Sequence, residues 1–86
     1  MDQHIGEVLA KISVVIPTLN EAEHLPALLS DLYEGLSFDV LREVIIVDGG
    51  SDDDTPAIAD EAGCVVLKAA RGRGQQIHEG CHHARA

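Results

Sequence analysis

Aromatic residues are nearly missing from this 86-residue chain: they make up 2% of it, and there is no tryptophan. Any core must therefore be packed from Leu, Ile, Val and Ala. Cysteine is scarce as well. Cys64 and Cys81 are the two present, and their spacing is not the Cys-x-x-Cys of a metal site. Cys64 opens an apolar run, where a buried thiol behaves as a small hydrophobe. No apolar stretch approaches the roughly 20 residues that cross a bilayer. The start, Met1-Asp2-Gln3-His4, has neither the basic nor the apolar region of a signal peptide. The expectation is a soluble cytoplasmic protein. Positive charge is also short, and the formal net charge is −9. That balance argues against non-specific nucleic-acid binding and against an anionic membrane surface. A phosphate ligand would need locally placed donors or a cation.

What is present reads as one small globular unit. Hydrophobic residues make up 45% and charged residues 24%, a globular rather than a disordered composition. A chain of this size buries only about 60% of its unfolded surface, so its core is marginal. Residues 1–11 carry little pattern and read as a tail or a short extra turn. The patterned unit runs over residues 12–86.

That unit alternates strands and helices. Ile12 to Ile16 reads as a first strand, ended by Pro17, which has no N–H for a ladder. Leu25, Leu28, Leu29, Leu32 and Leu36 then fall on one helical face, with Pro26 suited to the first turn. Gly35 and Ser37 to Asp39 end that helix. Val44 to Val47 is a short, β-branched, apolar run, the pattern of a strand covered on both faces. Asp52-Asp53-Asp54-Thr55-Pro56 reads as a helix start, with Asp54 or Thr55 as cap and the carboxylates solvated at the positive end of the helix dipole. Gly63 stops that helix, Cys64 to Leu67 forms a third strand, and Gln75 to Arg85 forms a last helix. Short connections predict an α/β fold: a three-stranded parallel sheet in the order 3-2-1, flanked by helices. The first strand would lie at an edge although its sequence is of the buried type. This predicts a longer natural protein, or self-association through that edge.

Three loops share the carboxyl end of such a sheet, where open α/β sheets bind ligands. They are Pro17 to Glu21, Asp48 to Asp54, and Arg71 to Gly74. Asp48 can accept from a base or a ribose, Gly49 and Gly50 allow a sharp turn and a close approach, and arginine can pair with a pyrophosphate. A dinucleotide site of the G-x-G-x-x-G kind is excluded, since Pro17 to Ala22 contains no glycine. A Walker-type phosphate loop fails for the same reason. A non-catalytic nucleotide-binding or regulatory α/β module stays open. His78-Glu79-Gly80-Cys81-His82 fits the His-Glu-x-x-His string of zinc enzymes, but no third ligand follows. Surface histidines are the plainer reading, and a zinc site at His78 and His82 is the alternative.

The combined pattern resembles the family 2 glycosyltransferases of GT-A fold. It does so through Val14 to Glu21, through Val44 to Ser51 with Asp53 and Thr55, and through Gly72 to Gln76 with Gly80, Ala84 and Arg85. The resemblance implies the amino-terminal, donor-binding part of an enzyme that moves a sugar from a nucleotide diphosphate to an acceptor. It implies nucleotide contacts at Pro17, Thr18, Asn20, Glu21, Asp48, Gly49, Gly50 and Arg73, with Asp48 on the base. Many relatives carry a second Asp where this chain has Gly49, and Asn is frequent where it has His78. A Mg²⁺ or Mn²⁺ ion is implied for the full-length enzyme. Its Asp-X-Asp ligands and the catalytic base would lie beyond Ala86, so none of this chain's residues is assigned to catalysis or to metal, and the 86-residue chain alone is expected to be inactive.

Overall fold

The structure, a computed structural model, describes residues 12–36 and 40–85. The expected tail at residues 1–11 and the helix-ending stretch at 37–39 lie outside the described residues. The order is β1 (Ile12–Thr18), α1 (Leu25–Gly35), β2 (Leu41–Asp48), α2 (Thr55–Glu61), β3 (Val65–Lys68) and α3 (Arg73–Arg85). The three strands form one parallel sheet with β2 in the centre, which is the predicted 3-2-1 order.

The central strand carries the core. Val44, Ile45, Ile46 and Val47 are all buried, as a strand covered on both faces requires. On one face Val44 and Ile46 pack with Leu25 and Leu29 of α1 and with Ala59 of α2. On the other face α3 lies against β1 and β2. Its approach is close at Gly80, where a Cβ would stand 2.3 Å from Val15 Cγ1 and 2.9 Å from Val47 Cγ2. No larger residue fits there without movement of the sheet or the helix.

Three elements differ from expectation, and one of them is α3, which begins at Arg73 and not at Gln75, so Arg73 and Gly74 belong to the helix and not to the loop. β1 does not stop at Ile16: Pro17 pairs with Val47 and Thr18 with Asp48. The Thr18 carbonyl accepts from Gly49 N–H at 3.0 Å, so it points toward β2. Neighbouring residues of a strand point their N–H and C=O to opposite sides, so the Pro17 nitrogen faces the open edge, where a missing N–H costs nothing. In α1, Leu25 and Leu29 are buried but Leu28 is 47% exposed. The helix buries a narrower stripe than its leucine spacing predicts.

Pro26 and Pro56 each stand in the first turn of a helix, as expected. The end of α2 is a Schellman turn: Cys64 N–H donates to Ala59 O and Gly63 N–H to Asp60 O, each at 3.0 Å. Gly63 holds φ +86°, a left-handed conformation that a side chain would strain. Tyr33 of α1 reaches this turn, where its hydroxyl donates to Ala62 O at 3.3 Å.

Candidate functional site

A parallel sheet sends every strand-to-helix loop out at its carboxyl end. Here residues 18–24, 49–54 and 69–72 meet at that end, and the first two are sewn together by side chains. Asn20 N–H donates to Ser51 Oγ at 2.8 Å, and Asp52 N–H returns a bond to Asn20 Oδ1 at 2.8 Å. Asn20 holds φ +54° to do this, a conformation that Asn tolerates better than most residues. Glu21 N–H donates to Thr55 Oγ1 at 2.9 Å, and Ala22 N–H to Asp53 Oδ2 at 3.2 Å. Asp53 also accepts from the Thr55 hydroxyl and the Thr55 N–H. The hydrogen bond from the Thr55 side chain outweighs desolvation and holds the Asp53 carboxyl below its usual range. Asp53 is therefore a tie between two loops as well as part of the predicted helix start. The predicted cap at Asp54 makes no side-chain bond to the helix.

Asp48 is the hub of this end of the sheet. It is 2% exposed. Its Oδ1 accepts from Thr18 Oγ1 at 2.9 Å and from Ser51 Oγ at 2.6 Å. Its Oδ2 accepts from Ser51 N–H at 2.7 Å and Gly50 N–H at 3.1 Å. Burial alone would raise its pKa, but these bonds from Ser51, Thr18 and Gly50 outweigh burial and hold it lowered. A carboxylate offers about four acceptor positions, and the chain's own donors fill them. In this structure Asp48 is engaged by its own loop and by Thr18, and these bonds shape the β2–α2 turn.

Beside this hub a cleft of about 310 Å³ opens between two walls. Pro17 to Leu19 and Glu21 form one wall, and Arg71 to Arg73 with Gln76 form the other. The structure thus brings Pro17, Thr18, Glu21 and Arg73 together, as their loops predict. Asn20, Asp48, Gly49 and Gly50 lie outside the lining. Gly50 turns the backbone at φ +95°, and Gly49 is buried against Gln76. Arg71 is a lining residue that the expected set lacks. Its guanidinium makes long bonds to Gly49 O at 3.5 Å and Gly50 O at 3.4 Å, which lay it across the β2–α2 loop. Leu19, Gly72 and Gln76 are further additions. A glutamine one helical turn from Gly72 and from Gly80 was the available signal, but its partners Thr18 and Val47 are remote in sequence.

His78 and His82 are exposed on α3. Among the described residues no group of three or more His, Cys, Asp or Glu gathers to hold a metal. Glu21 lines the cleft as its single carboxylate, and Asp48 and Asp53 beside it are already engaged by the chain's own donors. These residues do not fit a metal ion, and no step through one is assigned to them. Among the described residues no helix is long and apolar enough to cross a membrane.

The fold is a parallel α/β layer with a cleft at the carboxyl ends of its strands, one wall of which carries two arginines. Comparison with known proteins then fixes the family. A sequence model of glycosyl transferase family 2 matches residues 13–86, and the chain belongs to that family. It is 38% identical to glycosyltransferase AglJ of Haloferax volcanii over 79% of this chain and 22% of the relative. It is 37% identical to an uncharacterized glycosyltransferase of Mycobacterium tuberculosis strain H37Rv over 80% of this chain and 29% of the relative. Among solved structures it is similar to glucosyl-3-phosphoglycerate synthase of Mycobacterium tuberculosis in complex with uridine diphosphate. The TM-score is 0.66 at 29% identity, covering 86% of this chain and 28% of the other. The chain thus spans between a fifth and a third of the length of these proteins. The solved neighbour is a GT-A glycosyltransferase, a fold whose enzymes generally use a divalent metal.

Proposed function

We propose that this chain is the nucleotide-binding part of a glycosyltransferase, and that the cleft between residues 17–21 and 71–73 receives the nucleotide of a nucleotide-diphosphate sugar. One observation carries this reading: two arginines face the loop after β1 across a cleft at the carboxyl end of the sheet. The membership of family 2 and the uridine diphosphate held by the solved neighbour support it. Pro17, Thr18, Leu19 and Glu21 border the nucleoside, and Arg71 and Arg73 face the diphosphate, to which guanidinium groups bind with paired donors. Asn20, Asp48, Gly49 and Gly50 serve the site by shaping its loops.

The reaction of the whole enzyme is sugar transfer. The bond from the anomeric carbon to the diphosphate breaks, a bond to the acceptor oxygen forms, and the acceptor's proton passes to a base. Neither that base nor the metal is assigned to residues of this chain. Both cysteines are free thiols, which suits a reducing compartment such as the cytoplasm. Among the described residues β1 pairs on one side alone, and a second copy of the chain can add there at high concentration. Sedimentation across a concentration series tests that point, and a concentration-independent monomer would refute it.

Calorimetric titration with UDP and GDP tests the main reading. Saturable binding that weakens in Arg73→Ala is expected. Equal and negligible heats for both nucleotides would remove it.

A further inference from the structure

Gln76 is 4% exposed, one turn into α3, and its amide is fully bonded. Nε2 donates to Thr18 O at 3.0 Å and to Val47 O at 2.7 Å. Oε1 accepts from Gly72 N–H at 3.0 Å. These partners fix which end of the amide is nitrogen, since two carbonyls need donors and an N–H needs an acceptor. The carbonyls belong to adjacent strands, β1 and β2. The N–H belongs to Gly72, which stands between Arg71 of the loop and Arg73 at the start of α3.

The amide also occupies a specific place. A Cβ on Gly49 would stand 2.9 Å from Oε1 and 3.1 Å from Nε2, inside ordinary contact distance. Gly49 and Gln76 are therefore a fitted pair: the missing side chain at one position makes room for the amide of the other.

We infer that Gln76 is a positioning residue, which fastens the turn from Arg71 into Arg73 at the start of α3 to the carboxyl ends of β1 and β2 and so sets where the two guanidinium groups stand over the cleft. The fastening itself is independent of the ligand. Its consequence for nucleotide affinity rests on the function proposed above. A primary amide supplies two donors and one acceptor from a single plane. Glutamate has the same size and could still accept from the Gly72 N–H, but its ionised form sets an oxygen with no proton against the Thr18 and Val47 carbonyls, and that repulsion drives the side chain from the place where it holds Gly72. Protonation gives that carboxyl one donor back, and burial raises the pKa at which this happens.

The test compares the chain with Gln76→Glu and Gly49→Ala by amide hydrogen exchange and by UDP titration, at about pH 7 and about pH 5, the span over which a buried glutamate takes up its proton. At neutral pH, exchange at Gly72 should speed up and UDP affinity should fall, each by about tenfold, the effect of losing a buried hydrogen bond. Core amides such as Ile46 should keep their protection. At the lower pH, Gln76→Glu should regain affinity relative to the parent chain at the same pH, which a purely structural defect would not do. Gly49→Ala pushes on the amide and should shift Gly72 in the same direction by less. Unchanged Gly72 exchange and unchanged affinity in a folded Gln76→Glu variant would overturn the inference. If that variant does not fold, Gly49→Ala decides by the same readout. If the parent chain binds no UDP, the functional reading fails, and Gly72 exchange alone decides for Gln76.

Discussion

Thr18 and Asp48 meet across the β1–β2 pair: Thr18 Oγ1 donates to Asp48 Oδ1 at 2.9 Å, and each residue is 2% exposed. The pair closes the last rung of the ladder, where the two strands are still in register. Beyond it the chain splits into the two loops that flank the site. The bond thus joins the end of the fold to the beginning of the function. It also explains why a residue placed where a ligand binds is turned inward.

Removing the Asp48 carboxylate should be costly. Four donors converge on it, and a hydrogen bond to a charged group contributes about 1.5–3 kcal/mol, with neighbouring bonds not additive. Asp48→Ala should lose about 3 kcal/mol in a urea melt, a large share of the stability of a small domain. The pH dependence follows from the lowered pKa of Asp48. A lowered folded pKa means the fold favours the ionised form. That contribution is complete above the unfolded value of about 3.9 and is lost as pH falls through the folded value. Asp53 is shifted in the same direction. Stability should therefore drop on acidification below about pH 4, and Asp48→Asn should flatten that limb.

Gly80→Ala sets two effects against each other. Alanine favours a helix interior by about 1 kcal/mol over glycine. The added Cβ would sit 2.3 Å from Val15 Cγ1, a distance real contacts do not reach. Overpacking of this kind costs about 1–3 kcal/mol or more. The clash should win, and the variant should melt at lower temperature than the parent. A higher melting temperature would show that α3 sits farther from the sheet.

Arg71 and Arg73 should matter for phosphate and little for the nucleoside. Arg71→Ala and Arg73→Ala should each weaken UDP by about tenfold, the scale of one charge-assisted contact, while leaving uridine nearly unaffected. Raising the salt should weaken UDP binding by the parent chain more than by either variant, since screening acts on the lost charge. Titrations with UDP and uridine at two ionic strengths check this. Equal losses for both ligands would mean the arginines hold the loop rather than the phosphates.

The architecture was legible because it rests on local signals. Apolar runs bounded by Pro17, Gly63 and the Asp48–Gly50 turn mark the strands, and Pro26 and Pro56 mark two helix starts. These patterns act within a few residues. The strand order followed from the short connections. The site was legible at the level of loops and less so at the level of atoms. Pro17, Thr18, Glu21 and Arg73 reach the cleft, but Asp48 spends its oxygens on Gly50 and Ser51 of its own turn and on Thr18, 30 residues away, and Asn20 on Asp52, 32 residues away. Nothing in a strand-plus-acid pattern says whether the acid will be filled from within. Gln76 escaped for a related reason: it bonds Thr18, 58 residues earlier, from a helix face that the apolar pattern left poorly defined. The exposed Leu28 is the converse case, since a leucine repeat marks a face without saying how much of it a neighbour covers.

The central claim is that the nucleotide lies between residues 17–21 and 71–73. Chemical-shift mapping of the labelled chain during a UDP titration tests it most directly. Saturable shifts are expected at Thr18, Leu19, Glu21, Gly72 and Arg73, while a second groove, which Leu29 and Tyr33 of α1 and Ile58 and Ala62 beside them line, stays unmoved. Shifts confined to that groove, or none at saturating UDP in a folded chain, would contradict it.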